Sequence, residues 1–126
     1  MNTKILLSTS SLALGIVGVI ALFAPMEILT SLGAVAASPL AVFIQLLGAL
    51  YFAFALTNWT AKDSRIGGIY ARPLALGNCV HFVTGALVVL QYELANGFRG
   101  LLTVALVGYA IFAVSFAYLV FWHDGL

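Results

Sequence analysis

The amino-acid sequence predicts an all-α polytopic membrane protein, a bundle of four transmembrane helices with both termini in the cytoplasm. Of its 126 residues, 63% are apolar and 7% are charged, against about 45–50% and about 25% in soluble domains. The mean hydropathy is +1.15. Too few polar side chains are present to cover a water-soluble globule, and the apolar content excludes a disordered chain.

Four apolar runs are long enough to cross a membrane as helices, which takes roughly 20 residues. They cover about residues 5–24, 40–61, 73–92 and 100–122. Helices are the natural interpretation because a spanning segment in lipid must satisfy its own backbone hydrogen bonds. Since the runs fill the chain, we predict a single transmembrane domain over residues 1–126.

Short polar motifs mark the ends of these helices. Ser38-Pro39 is typical of an N-cap followed by a first helical residue, and Pro73 opens the third helix in the same way. Asn96-Gly97 predicts a tight turn that makes the last two helices an antiparallel hairpin. Between the first two helices, Pro25 to Gly33 predicts one or two helical turns at the outer interface.

The lysines and arginines predict the orientation. An even number of spans puts both termini on one side, together with four cations: Lys4, Lys62, Arg65 and Arg72. Arg99 alone falls on the other side, and cytoplasmic loops carry the excess of lysine and arginine. We therefore expect both termini in the cytoplasm.

The first run has a second interpretation, as a secretory signal. Lys4 precedes it, and Ala34-Val35-Ala36 resembles a cleavage site. The run is longer than the roughly 7–15 apolar residues of a signal peptide, and Pro25 to Gly33 separates it from that site. We interpret it as a retained transmembrane helix.

Small residues at helical spacing predict how the helices pack, because close backbone approach drives helix association in lipid. The positions that we expect to pack are Ser11, Gly15, Gly18, Gly48, Gly77, Gly85 and Gly108. They either hold the bundle together or turn one stripe toward another copy of the chain.

Polar side chains within the predicted helices collect in the cytoplasmic half of the membrane. The candidate ligand-binding residues of this polar layer are Tyr51, Asn58, Asn78, His81 and Ser115. His81 is either a structural hydrogen-bonding group or, in a membrane enzyme, a general acid or base. It has no second metal ligand or catalytic group at helical spacing, so we predict no metal, no cofactor and no enzymatic activity.

Charged residues are predicted to stay out of the spans, with Glu93 just beyond the third helix, which argues against a charged ion pathway. Lys62, Arg65 and Arg72 precede the third helix and are candidates for binding a lipid phosphate or another anion. The alternative is an ordinary topology signal whose side chains extend to headgroups. The single cysteine, Cys79, cannot form an internal disulfide, and the absence of a strong basic run predicts no nucleic-acid partner.

Four stretches carry a resemblance to known proteins: Leu46 to Phe52, Asn58-Trp59, Ile66 to Pro73, and Gly77-Asn78 followed by His81-Phe82. They resemble small uncharacterised bacterial four-helix integral membrane proteins, and the layout is more distantly similar to the DoxX-like group. The likeness covers the whole chain in topology and Leu46 to Phe82 in motif. It implies a bacterial inner-membrane location and an accessory role, because some DoxX-like members are accessory subunits of quinone-linked oxidoreductases. It transfers no catalytic residue.

The sequence thus predicts a small non-catalytic membrane protein that associates with itself or with a larger membrane complex, surrounded by membrane lipid. The alternative is a small transporter, channel, or lipid- or small-molecule-binding protein that uses the polar layer.

Overall fold

The computed structural model describes residues 3–35, 38–63, 71–98 and 100–122. These residues form five α-helices: α1 (Thr3–Phe23), α2 (Pro25–Ser31), α3 (Ser38–Ala61), α4 (Ala71–Asn96) and α5 (Gly100–Phe121). No β-strand occurs in those ranges. The helices α1, α3, α4 and α5 are each long and apolar enough to cross a membrane, which confirms the predicted all-α class and the four candidate spans.

The short helix α2 follows α1 almost directly. Pro25 is its first residue, where a proline loses no hydrogen bond because the first helical N–H groups have no partner within the helix. Gly33 adopts a φ of 75° and its N–H donates to the carbonyl oxygen of Thr30 at 3.0 Å. Glycine tolerates this left-handed conformation, which ends the helix. The predicted one or two turns in this segment are confirmed.

Two helices begin one to two residues before their predicted starts. The structure begins α3 at Ser38, which was expected to be the N-cap, and begins α4 at Ala71, so Pro73 is the third residue of its helix. A proline is accepted anywhere in the first turn, since the N–H that it lacks would be unpaired there. Pro73 therefore marks the first turn of α4 and not its first residue.

The helix α4 continues to Asn96, four residues beyond its predicted end at about residue 92. It stops at Gly97, whose φ is 99° and whose N–H donates to the carbonyl oxygen of Glu93 at 2.7 Å. The extra turn brings Glu93 into the helix, in contrast to the prediction that it lies beyond the span.

Residues Lys4–Lys62 form one compact unit, in which α1 and α3 are antiparallel. Near one end of the pair Asn58 contacts Ser10, and near the other the Gln45 side-chain Nε2 donates to the carbonyl oxygen of Leu22 at 3.1 Å. The helix α2 packs on α3. We call this the α1–α3 unit.

The second compact unit contains α4 and α5, and we call it the α4–α5 unit. Its two helices are antiparallel, since Thr103 contacts Glu93 near the turn and Phe116 stacks on Phe82 farther away. The antiparallel hairpin predicted from Asn96-Gly97 is confirmed.

Candidate functional site

Polar side chains join α1 to α3. Asn58 is fully buried, and its Nδ2 donates to the Oγ of Ser10 at 3.1 Å. One residue further along α1, the Oγ of Ser11 donates to the carbonyl oxygen of Ala55 at 2.7 Å. Hydrogen bonds of this kind favour helix association where lipid replaces water. Sequence reasoning selected Asn58 and Ser11 but not Ser10.

Glycines bring the same two helices into backbone contact. A Cβ atom added to Gly18 would lie 2.9 Å from the carbonyl oxygen of Gly48. One added to Gly48 would lie 2.8 Å from the carbonyl oxygen of Gly18. Gly15 is less confined, because its Cβ would lie 3.5 Å from the Cβ of Ala55. These predicted packing positions therefore lie at the α1–α3 contact of a single chain.

Tyr51, the other ligand candidate of this unit, is half-buried two turns from Asn58 on α3. Its Cβ lies 3.2 Å from the position that a Cβ on Gly18 would take. The base of this side chain is thus part of the α1–α3 contact.

The α4–α5 unit contains a cluster of aromatic rings around His81. The Oη of Tyr109 and the Nε2 of His81 share a hydrogen bond of 3.0 Å. Phe82, which is 1% exposed, lies with its ring centre 4.9 Å from that of His81 and 5.1 Å from that of Tyr109. Phe112 and Phe116 also pack on Phe82, and their ring centres lie 5.1 and 5.7 Å from the centre of the Phe82 ring. The cluster fixes the imidazole by hydrogen bonding and by ring packing.

The sequence analysis did not name Tyr109 as a site residue, although the predicted hairpin turn indicates its position relative to α4. Antiparallel pairing about Asn96-Gly97 puts residue 109 opposite the turn of α4 that holds His81 and Gly85. A Cβ atom on Gly85 would overlap Cε2 and Cδ2 of the Tyr109 ring. Gly85 therefore makes room for this ring, and the ring in turn reaches His81.

The remaining polar-layer residues of this unit bond to their own helices. The Nδ2 of Asn78, a fully buried residue, donates to the carbonyl oxygen of Leu74 at 2.9 Å. The Oγ of Ser115 donates to the carbonyl oxygen of Ile111 at 2.8 Å. Such bonds satisfy a hydroxyl or amide inside an apolar helix.

The last two predicted packing glycines are Gly77 and Gly108. Gly77 is half-buried on α4. Gly108 on α5 faces open space, since a Cβ added there would meet no atom within 4 Å. Within the α4–α5 unit Gly108 therefore makes no tight helix contact, and the alternative that its stripe faces another copy of the chain stays a prediction.

Glu93 is a functional candidate that the sequence did not provide. It is 1% exposed, and its Oε2 accepts a hydrogen bond of 2.6 Å from the Oγ1 of Thr103. A carboxylate is costly to bury unless it is hydrogen-bonded or paired. The separation of ten residues across a predicted turn is the signal that places Thr103 beside it.

The predicted anion-binding cations fall in different units. The Nζ of Lys62 lies 4.1 Å from the centre of the Trp59 ring in the α1–α3 unit. Arg72 is exposed at the start of α4, and Arg65 lies outside the described residues.

An open apolar groove of about 490 Å³ runs along the surface of the α1–α3 unit. Its lining residues come from both helices, with small side chains where the helices touch and large ones at the sides. They are Ser11, Leu12, Gly15, Ile16, Val19, Ile20, Phe52, Ala55, Leu56 and Trp59. We call it the α1–α3 groove.

Across the ranges that the structure describes, no group of three His, Cys, Asp or Glu side chains is placed to hold a metal ion. Cys79 is buried in α4 as a free thiol. Comparisons with protein-family models, with curated proteins and with solved structures gave no match.

Proposed function

We propose that this chain is a multi-pass protein of the bacterial inner membrane, with both termini and residues 62–72 in the cytoplasm and α2 at the outer interface. It has no catalytic role and works as a self-associating or accessory subunit of a membrane complex. The four long apolar helices support the membrane assignment.

One observation carries the non-catalytic assignment: two pairs of polar side chains on the long helices join helices of the same unit. Ser10 and Asn58 join α1 to α3, while His81 and Tyr109 join α4 to α5. A catalytic group must instead present its polar atom to a substrate. These contacts also favour an architectural role over the alternative of a ligand site in the polar layer.

The outward-facing surface supports association within the membrane. Large apolar side chains are exposed on every long helix, among them Ile16 at 61%, Leu87 at 61% and Val114 at 71%. Large exposed apolar surfaces of this kind mark contact with a membrane or with another protein. Hydrocarbon chains or the helices of another membrane protein are the environments that suit these faces.

The test is the mass of the particle in native membranes. Cross-linking before solubilisation, followed by mass measurement in a mild detergent, should give a multiple of the 13.3 kDa chain or a complex with another membrane protein. The same measurement without cross-linker is the control for dissociation in detergent. A 13.3 kDa particle under both conditions, with no protein co-purifying, would contradict the proposal.

A further inference from the structure

We propose that the α1–α3 groove binds an acyl chain of an anionic phospholipid, whose phosphate lies at the Lys62 end. This inference rests on the membrane part of the proposed function and is independent of whether the chain associates with a partner.

The shape and chemistry of the groove call for a long apolar occupant. The α1 residues that line it run from Ser11 to Ile20, a distance of about 14 Å at about 1.5 Å per residue. Its sides are exposed aliphatic side chains, with Leu12 at 57% and Leu56 at 52%. The polar hydroxyl among the lining groups, that of Ser11, already donates to Ala55.

Positive charge is concentrated at one end of the groove. Trp59 lines that end, and the Lys62 ammonium lies over its ring. Because α1 and α3 are antiparallel, Lys4 lies at the same end of the helix pair. Asp63 follows Lys62 and offsets one of the two cations.

The other end of the α1–α3 unit carries an acidic residue instead. Within residues 4–62 the lysines and arginines are Lys4 and Lys62 alone, and the acidic residue Glu27 is near the far end, in α2. A groove that is apolar along its length and cationic at one end is complementary to an acyl chain that carries an anionic headgroup. Tryptophan and lysine are also the residues that favour the headgroup level.

A second helix is a poorer occupant of this groove. Helices associate in lipid through small residues that let two backbones approach. In this unit those residues are already used, because Gly18 and Gly48 contact each other across α1 and α3. What remains at the groove edges is large side chains such as Ile16 and Val19.

Trp59 provides a direct reporter of the occupant. The sequence has two tryptophans, so the Trp122→Phe variant leaves Trp59 as the single one. The variant is reconstituted in phosphatidylcholine vesicles that contain increasing fractions of one quenching lipid. This lipid is either phosphatidylglycerol or phosphatidylcholine, in each case brominated on its acyl chains. Trp59 fluorescence should be half-quenched by a fraction of brominated phosphatidylglycerol that is about fivefold lower than the fraction of brominated phosphatidylcholine required. This ratio corresponds to the attraction of one lysine to anionic lipid.

Variants of Lys62 separate specific binding from general attraction. In the Trp122→Phe background, Lys62→Gln should abolish the preference for the anionic lipid, while Lys62→Arg should keep it. The matched control is the Trp59→Phe variant, in which Trp122 is the single tryptophan and reports on the surrounding lipid. Quenching of Trp122 should show no preference for the anionic lipid. Helical content measured by circular dichroism checks that each variant is folded.

Three results would overturn the inference: equal quenching of Trp59 by both lipids, an equal anionic preference at Trp122, or a preference that survives Lys62→Gln. Quenching of Trp122 with none of Trp59 would mean that protein covers the groove, which also overturns it. Failure of both tryptophans to be quenched would contradict membrane insertion itself. A monomeric mass would contradict only the proposed association.

Discussion

Asn58 and Ser10 are both fully buried, and each is a polar group that an apolar environment would penalise if its partner were removed. Double-mutant cycles in membrane proteins give about 0.6 kcal/mol for such interhelical bonds, with a maximum of about 1.7 kcal/mol. We therefore expect Ser10→Ala and Asn58→Ala to be coupled by about 0.6 kcal/mol in the free energy of unfolding, measured by denaturant titration in micelles.

Thr9→Ala is the matched control for this cycle, since the exposed Thr9 next to Ser10 bonds to the carbonyl oxygen of Ile5 within its own helix. It should show no coupling to Asn58→Ala. Strictly additive effects of Ser10→Ala and Asn58→Ala would mean that the hydrogen bond between them contributes nothing to stability.

Two glycines of the α4–α5 unit give a second prediction at the scale of single residues. An added methyl group at Gly85 overlaps the Tyr109 ring, whereas at Gly108 it enters open space. Gly85→Ala should therefore lower the free energy of unfolding by about 1–3 kcal/mol, the usual cost of overpacking. Gly108→Ala should be neutral or slightly stabilising, because alanine is the better helix former.

Removing the obstructing ring tests the cause of that difference. In a Tyr109→Ala background, Gly85→Ala should cost much less than it does in the natural sequence. If Gly85→Ala and Gly108→Ala have the same effect in the natural sequence, or if the cost of Gly85→Ala persists without the ring, the contact with Tyr109 is not what requires glycine.

At the scale of helices, the hairpin of α4 and α5 shows what the sequence can and cannot predict. Apolar runs and the Asn96-Gly97 turn were enough to predict both helices and their antiparallel arrangement. The end of α4 was predicted one turn early, because a glutamate after an apolar run normally marks the membrane surface. Glu93 is buried instead, and the hydrogen bond that Thr103 donates to its Oε2 depends on the pairing of two helices.

The same reason explains which site residues were missed. Ser11, Gly18 and Gly48 can be selected from spacing alone, since small size is a property of each residue. Tyr109 and Ser10 matter because of what lies opposite them, which a periodicity does not encode. For Tyr109 the information lies in the Asn96-Gly97 turn, which relates the positions on α4 to those on α5. Spacing also does not say which partner a small residue meets. No side chain of its own unit approaches Gly108, so a contact with another copy of the chain stays a prediction.

The contact between Thr103 and Glu93 stabilises the turn end of this helix pair, and its removal is the prediction at this scale. Thr103→Val keeps the shape of the side chain and removes the donor, so the carboxyl group loses a 2.6 Å hydrogen bond. We expect a loss of about 1 kcal/mol or more in the free energy of unfolding. Thr103→Ser retains the hydroxyl and should lose less; equal losses for the two variants would show that the threonine methyl, and not the hydrogen bond, is what stabilises the hairpin.

For the whole molecule, the distribution of cations and the four long helices lead to one testable topology. Four of the five lysines and arginines fall on the side that the positive-inside tendency assigns to the cytoplasm. Segments 24–35 and 97–98, which follow α1 and α4, should then lie on the outer side of the membrane. Asp63, which follows α3, should lie on the cytoplasmic side. The exposed positions Ala34, Phe98 and Asp63 are suitable reporters of these three segments.

Cysteine labelling in intact cells checks this topology without disturbing the helices. The natural thiol, Cys79, is 5% exposed, and Cys79→Ala removes it as a background. In that variant, Ala34→Cys and Phe98→Cys should react with a membrane-impermeant maleimide, whereas Asp63→Cys should react only after the cells are permeabilised. The reverse pattern would put the four cations outside, against the charge bias, and would also place the cationic end of the α1–α3 groove in the leaflet opposite to the one that carries anionic lipid at the cytoplasmic surface.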